Sequence, residues 1–140
     1  MKQPKKKSSK TGFIVAALGI PILAVVIFFL TAPLRREQRA QHDVDVLLLA
    51  LNGFVREQGD LPIGDTATIC RLLRGESVDG QNPKRLDYVE AEAYEVNAKG
   101  EFVDPWGVAY RIVLDRNARV YSCGPNKVDD QGKADDIVAR

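Results

Sequence analysis

Twenty-one consecutive residues, Gly12 to Ala32, carry no charge, and this constrains the chain more than any other feature. A helix rises about 1.5 Å per residue, so about 20 such residues cross the ~30 Å hydrocarbon core of a bilayer. The alternative, a core helix apolar on every side, needs a larger domain around it than this chain can supply. A transmembrane helix over residues 12–32 is therefore expected. Lys2, Lys5, Lys6, Lys7 and Lys10 precede it without an acid among them, whereas Arg35, Arg36 and Arg39 follow. The excess of positive charge on the N-terminal side places that end in the cytoplasm and residues 33–140 across the membrane. The apolar run exceeds the 7–15 residues usual for a cleaved signal, and Pro33 directly follows the one small-residue cleavage candidate, which favours a retained anchor.

Three segments follow: a basic cytosolic stub or leader (1–11), the transmembrane helix (12–32) and one soluble domain (33–140). A net charge of +1 gives no reason to expect nucleic acid as a partner. From Arg35 onward, Val44, Leu47, Leu48, Leu51, Phe54 and Val55 recur at helical spacing between polar residues, up to a stop at Gly59 and Pro62. A short second helix is expected over 66–74, with Asp65 as N-cap and Gly75 just past its end. Residues 76–84 read as turns around Gly80 and Asn82-Pro83, and 86–96 show no clear period. Pro33 is expected to mark the membrane exit. Strands are expected over 108–114 and 118–123, joined by a turn at Asp115-Arg116-Asn117, with a third at 137–139. The fold class is α+β: an N-terminal transmembrane helix extending into an amphipathic helix packed on a small antiparallel sheet.

This order resembles the type IV pilin and pseudopilin superfamily, and within it the major pseudopilins of type II secretion systems. The likeness rests on Asp104-Pro105-Trp106-Gly107 with Tyr110 behind it, on Tyr121-Ser122-Cys123-Gly124-Pro125-Asn126, on the closing Asp135-Asp136-Ile137, and on the helix end from Leu48 to Pro62. It covers about residues 44 to 140. It implies a pilin-like fold and a structural role in a type II secretion or related pilus-type system. It further implies a bacterial inner-membrane location with the domain in the periplasm. The partners it implies are the membrane, like or related pseudopilin subunits, and inner-membrane proteins of the secretion system. Gly12-Phe13 matches the prepilin cleavage junction, but the fifth residue beyond it is Ala17 where the family carries glutamate. That departure favours a second class of function, a non-polymerising membrane-anchored adaptor that binds a periplasmic partner.

The loop from Ser122 to Asp136 is where chemistry concentrates. Ser122, Asn126, Asp129, Asp130, Asp135 and Asp136 supply hard oxygen ligands, the kind Ca²⁺ takes in sets of six to eight. The competing reading is a solvated loop neutralised by Lys127 and Lys133. The resemblance implies a structural calcium held at Ser122, Asn126, Asp135 and Asp136, with Asp129 or Asp130 in place of a further ligand. Cys70 and Cys123, the only cysteines, could form a disulfide in an oxidising compartment or serve as two small buried residues. Trp106 is expected to plug the core, and His42 to be solvated. No nucleophile–base set, zinc-protease motif or phosphate loop is present, so an enzyme is not expected.

Overall fold

The computed structural model describes residues 11–140; of residues 11–24 and Ile27 it describes the backbone alone. The basic stub and the side chains at the Gly12-Phe13 junction thus lie outside the described residues. Helix α1 runs unbroken over Thr11–Gln58. It passes through Pro33 without a break, as the expected extension of the first helix into the amphipathic one requires. A proline forfeits one i→i−4 hydrogen bond, and the helical turns on both sides outlast that local loss. Among the described residues no helix is long and apolar enough to cross a membrane. Most of the expected span has no described side chains; in its remainder Phe28, Phe29 and Leu30 are well exposed, as is Leu34 just beyond it.

The chain divides into two units, residues 1–35 and 36–140. In the second unit the helical period is realised as packing. Val44, Leu47, Leu51 and Phe54 are at most 2% exposed, and Leu48 packs against them from the rim. Gly59 takes φ +92° and donates its N–H to Val55 O at 2.8 Å, a left-handed helix end that a side chain would disfavour. Helix α2 (Thr66–Leu73) starts as expected, with the Asp65 carboxylate accepting from the Thr68 N–H at 2.8 Å. It buries Ile69, Cys70, Leu72 and Leu73 against α1.

Five short strands complete the domain. β1 (Glu95–Val96) pairs antiparallel with β2 (Phe102–Val103), within a stretch whose first half showed no period. β3 (Arg111–Leu114) and β4 (Ala118–Ser122) form the expected hairpin, with Ile112 opposite Val120, and β5 (Ile137–Val138) pairs on the far side of β4. Trp106 does not plug the core. It is only half-buried, and Phe102 and Tyr110, each 1% exposed, fill the space between helix and sheet.

One polar group sits inside this interface. Asp43 on α1 is 8% exposed and accepts a hydrogen bond from the Tyr110 hydroxyl at 2.8 Å. Burial pushes its carboxyl up, against the opposing pull of Tyr110, Arg39 and His42. The stability linked to a raised carboxyl is complete below its unfolded value of 3.8 and disappears as pH rises through the folded one. Above that window the buried charge opposes folding. Asp43→Asn, which can still accept from Tyr110, should therefore gain melting temperature relative to the wild type between pH 4 and pH 7. A difference that stays constant across paired melts at the two values would show that burial does not raise the Asp43 carboxyl.

Candidate cation-binding loop

The site is built outward from a turn. Asp104, 3% exposed, bends the chain after β2 by accepting from the N–H groups of Trp106 and Val108 on its Oδ1 at 3.0 and 2.9 Å. Its Oδ2 accepts from the Ser122 hydroxyl at 2.6 Å. Ser122, fully buried at the end of β4, also accepts from the Gly124 N–H at 3.0 Å. The sheet therefore passes into the loop through a closed polar joint rather than a loose turn.

Within the loop the six expected ligands divide. Ser122 is committed to Asp104 and Gly124. Asp129 is committed as well: Tyr121 Oη and the Gln131 N–H donate to its Oδ1 at 3.0 Å each, and Arg111 Nε lies 3.0 Å from its Oδ2. Desolvation would raise this carboxyl, yet these hydrogen bonds and the Arg111 charge together hold it below the usual carboxylate range. Of the other four, Asn126, Asp130 and Asp135 are linked to one another, and Asp136 stands apart. The Asn126 side-chain amide donates to Asp130 Oδ2 at 3.0 Å and, by a shorter contact, to Asp135 Oδ1, while its own Oδ1 accepts from the Val128 N–H. The Asn126 backbone N–H donates to Asp135 Oδ2 at 3.1 Å. Asp136 accepts from the Gly132 N–H at 2.7 Å on one oxygen, and its other oxygen is buried without a hydrogen-bond partner.

The donor set suits a hard cation in kind and in charge. Asp130, Asp135 and Asp136 carry three negative charges, and among the described residues neither Lys127 nor Lys133 forms an ion pair with them. A buried carboxylate oxygen with nothing to accept from is costly, and a bound cation would satisfy it. Yet no three acidic, histidine or cysteine side chains converge on one point among the described residues. The Asn126 amide occupies the space between Asp130 and Asp135, supplying N–H groups where a cation would supply charge.

Both cysteines are free and buried, so the Cys70–Cys123 disulfide is not formed. They sit in separate surroundings. Cys70 Sγ accepts from the Phe102 N–H at 3.4 Å, and burial pushes its thiol up to about 11. Cys123 lies beside Arg111, which partly offsets the same effect of burial.

The loop hands the chain to β5, which α1 holds by two side chains. Gln41 Nε2 donates to Val138 O at 3.0 Å, and Asp45 Oδ1 accepts from the Arg140 N–H at 2.8 Å. An open groove of about 690 Å³ lies here, lined by residues including Gln38, Gln41, Pro125, Asp135 and Val138. Asp43, Asn82 and Asp104, the buried polar residues that organise the domain, lay outside every ligand set expected from sequence. Asp104 stood in the Asp-Pro-Trp-Gly segment and Asn82 in a turn signal, but neither pattern marks its residue as buried. No protein family, curated protein or solved structure matches the chain.

Proposed function

We propose that the chain is a pseudopilin-like structural subunit of a type II secretion or related pilus-type system. It is anchored by residues 12–32 in a bacterial inner membrane, with its domain in the periplasm. The observation that carries this reading is one uninterrupted helix, Thr11–Gln58, whose second part forms the core face for a small antiparallel sheet. Its partners are like or related pseudopilin subunits and inner-membrane secretion proteins. Ca²⁺ bound at Asp130, Asp135 and Asp136 would offset two of the three negative charges on these carboxylates and stiffen a surface available for lateral contacts.

Mass spectrometry of the full-length product from a secretion-competent host tests the assembly role. A mature chain beginning at Phe13, together with filaments in sheared surface fractions, is expected. An intact Met1 without filaments would favour the anchored adaptor, the reading that Ala17 in place of glutamate supports. Calcium is tested by melting. At free calcium 100-fold above its dissociation constant, stabilisation is about 2.7 kcal/mol. At roughly 4–8 °C per kcal/mol for a domain of this size, the midpoint should rise by at least ~10 °C over chelator. An unchanged midpoint at saturating calcium removes the metal.

A further inference from the structure

We infer that Asp104 positions the cation loop through Ser122, and that Ser122 serves as a link rather than a ligand; this rests on the calcium reading above. A carboxylate only accepts hydrogen bonds, so at 2.6 Å the Ser122 hydroxyl must give its proton to Asp104. Its oxygen then presents lone pairs alone toward the loop, where the Gly124 N–H takes one at 3.0 Å. Asp104 cannot turn away, because its second oxygen is fixed by the N–H groups of Trp106 and Val108. Gly124 in turn lies against Asp135: a Cβ placed on it would come within 2.2 Å of Asp135 O and 3.3 Å of Asp135 Oδ2. Asp135 is one of the three carboxylates without a cationic partner. The turn after β2 thus reaches a candidate ligand through a chain of contacts from the buried Asp104, Ser122 and Gly124 to the partly buried Asp135.

This relay depends on proton direction as well as shape. Asp104→Asn keeps the volume and can still accept from Trp106 and Val108, but it turns an N–H₂ group toward Ser122. The serine must then accept from Asn as well as from the Gly124 N–H, and its own proton, which Asp104 had accepted, is left buried without an acceptor. Ser122→Ala removes the link, and Ser122→Thr restores the hydroxyl. Outer-shell partners of metal ligands are typically worth about 10–100-fold in affinity.

The test is calorimetric titration of Ca²⁺ into the purified full-length chain, with melting in chelator to read the metal-free fold. Asp104→Asn and Ser122→Ala should each weaken calcium binding about tenfold or more. Ser122→Thr should recover most of the loss, and Asp115→Asn, on the exposed hairpin turn, should bind as the wild type does. Should Ser122→Ala lack a cooperative melt in chelator, Asp104→Asn set against Ser122→Thr carries the same comparison. Wild-type affinity in Asp104→Asn, or in a folded Ser122→Ala, overturns the relay while leaving calcium in place. No heat from the wild type at millimolar calcium overturns the calcium reading itself, and the relay with it.

Discussion

Replacing Asn82 with alanine should destabilise the domain by about 3 kcal/mol, although Asn82 touches no expected ligand or interface. The residue is fully buried, and its side chain organises the connection between α2 and β1. Its amide nitrogen donates to Leu86 O at 2.9 Å, Leu72 O at 3.3 Å and Glu76 O at 3.4 Å, and its oxygen accepts from the Leu86 N–H at 2.9 Å. Alanine leaves these groups facing a void, and each unsatisfied buried polar group costs about 1–3 kcal/mol before relaxation or water entry. Backbone strain adds to this, since Asn82 has φ +50°, a region asparagine tolerates and alanine does not. Glycine would relieve the strain without restoring the hydrogen bonds, so Asn82→Gly should fall between the wild type and Asn82→Ala. Aspartate keeps the shape but points a carboxylate at three carbonyl oxygens and should be at least as damaging as alanine. Urea denaturation of the four proteins gives the order directly. An Asn82→Ala domain within about 1 kcal/mol of the wild type would mean that water replaces the network.

Asn82 also marks where sequence stops being informative. Its position before Pro83 announces a turn, and a turn is what forms, but the same pair is equally at home in a solvated loop. Its burial depends on contact with α2, where the Leu72 carbonyl, ten residues back in the chain, accepts from its amide. Asp43 is a second case. It lies on a helix among charged neighbours, and its partner Tyr110 is 67 residues away. Features carried by local chemistry were legible: the core stripe of α1, the Asp65 cap, and the hairpin about Asp115-Arg116-Asn117. β1 was not, because both its residues are exposed and two residues cannot show alternation. Trp106 misled for a related reason. An aromatic of that size suggests a core position, but Asp104 holds its N–H in a turn and the ring is left half-buried. Within the loop, composition identified the oxygen-rich segment yet could not divide it, since Arg111 on β3 claims Asp129 and Asp104 in the turn after β2 claims Ser122.

Gly124→Ala should abolish most of the calcium-dependent rise in melting temperature while leaving the core packed. Two penalties meet at this position. The backbone is left-handed, at φ +65°, which disfavours any side chain by roughly 1 kcal/mol. The added Cβ would lie 2.2 Å from the Asp135 carbonyl oxygen, a backbone atom that cannot swing aside as a side-chain tip would. Either the Gly124–Pro125 segment or the Asp135 segment must then move, and the joint to Ser122 or the placement of Asp135 is lost with it. Gly107→Ala isolates the first penalty: φ there is +82°, and nothing lies within 4 Å of the added carbon. It should lower the melting temperature modestly and leave the calcium increment intact. Because β5 and the groove follow directly from the loop, Gly124→Ala should also speed amide exchange at Ile137 and Val138, whereas Gly107→Ala should not. A Gly124→Ala protein that keeps the wild-type calcium increment would show that Asp135 can shift without consequence, which would remove it from the ligand set and leave Asp130 and Asp136 as the carboxylates to be tested.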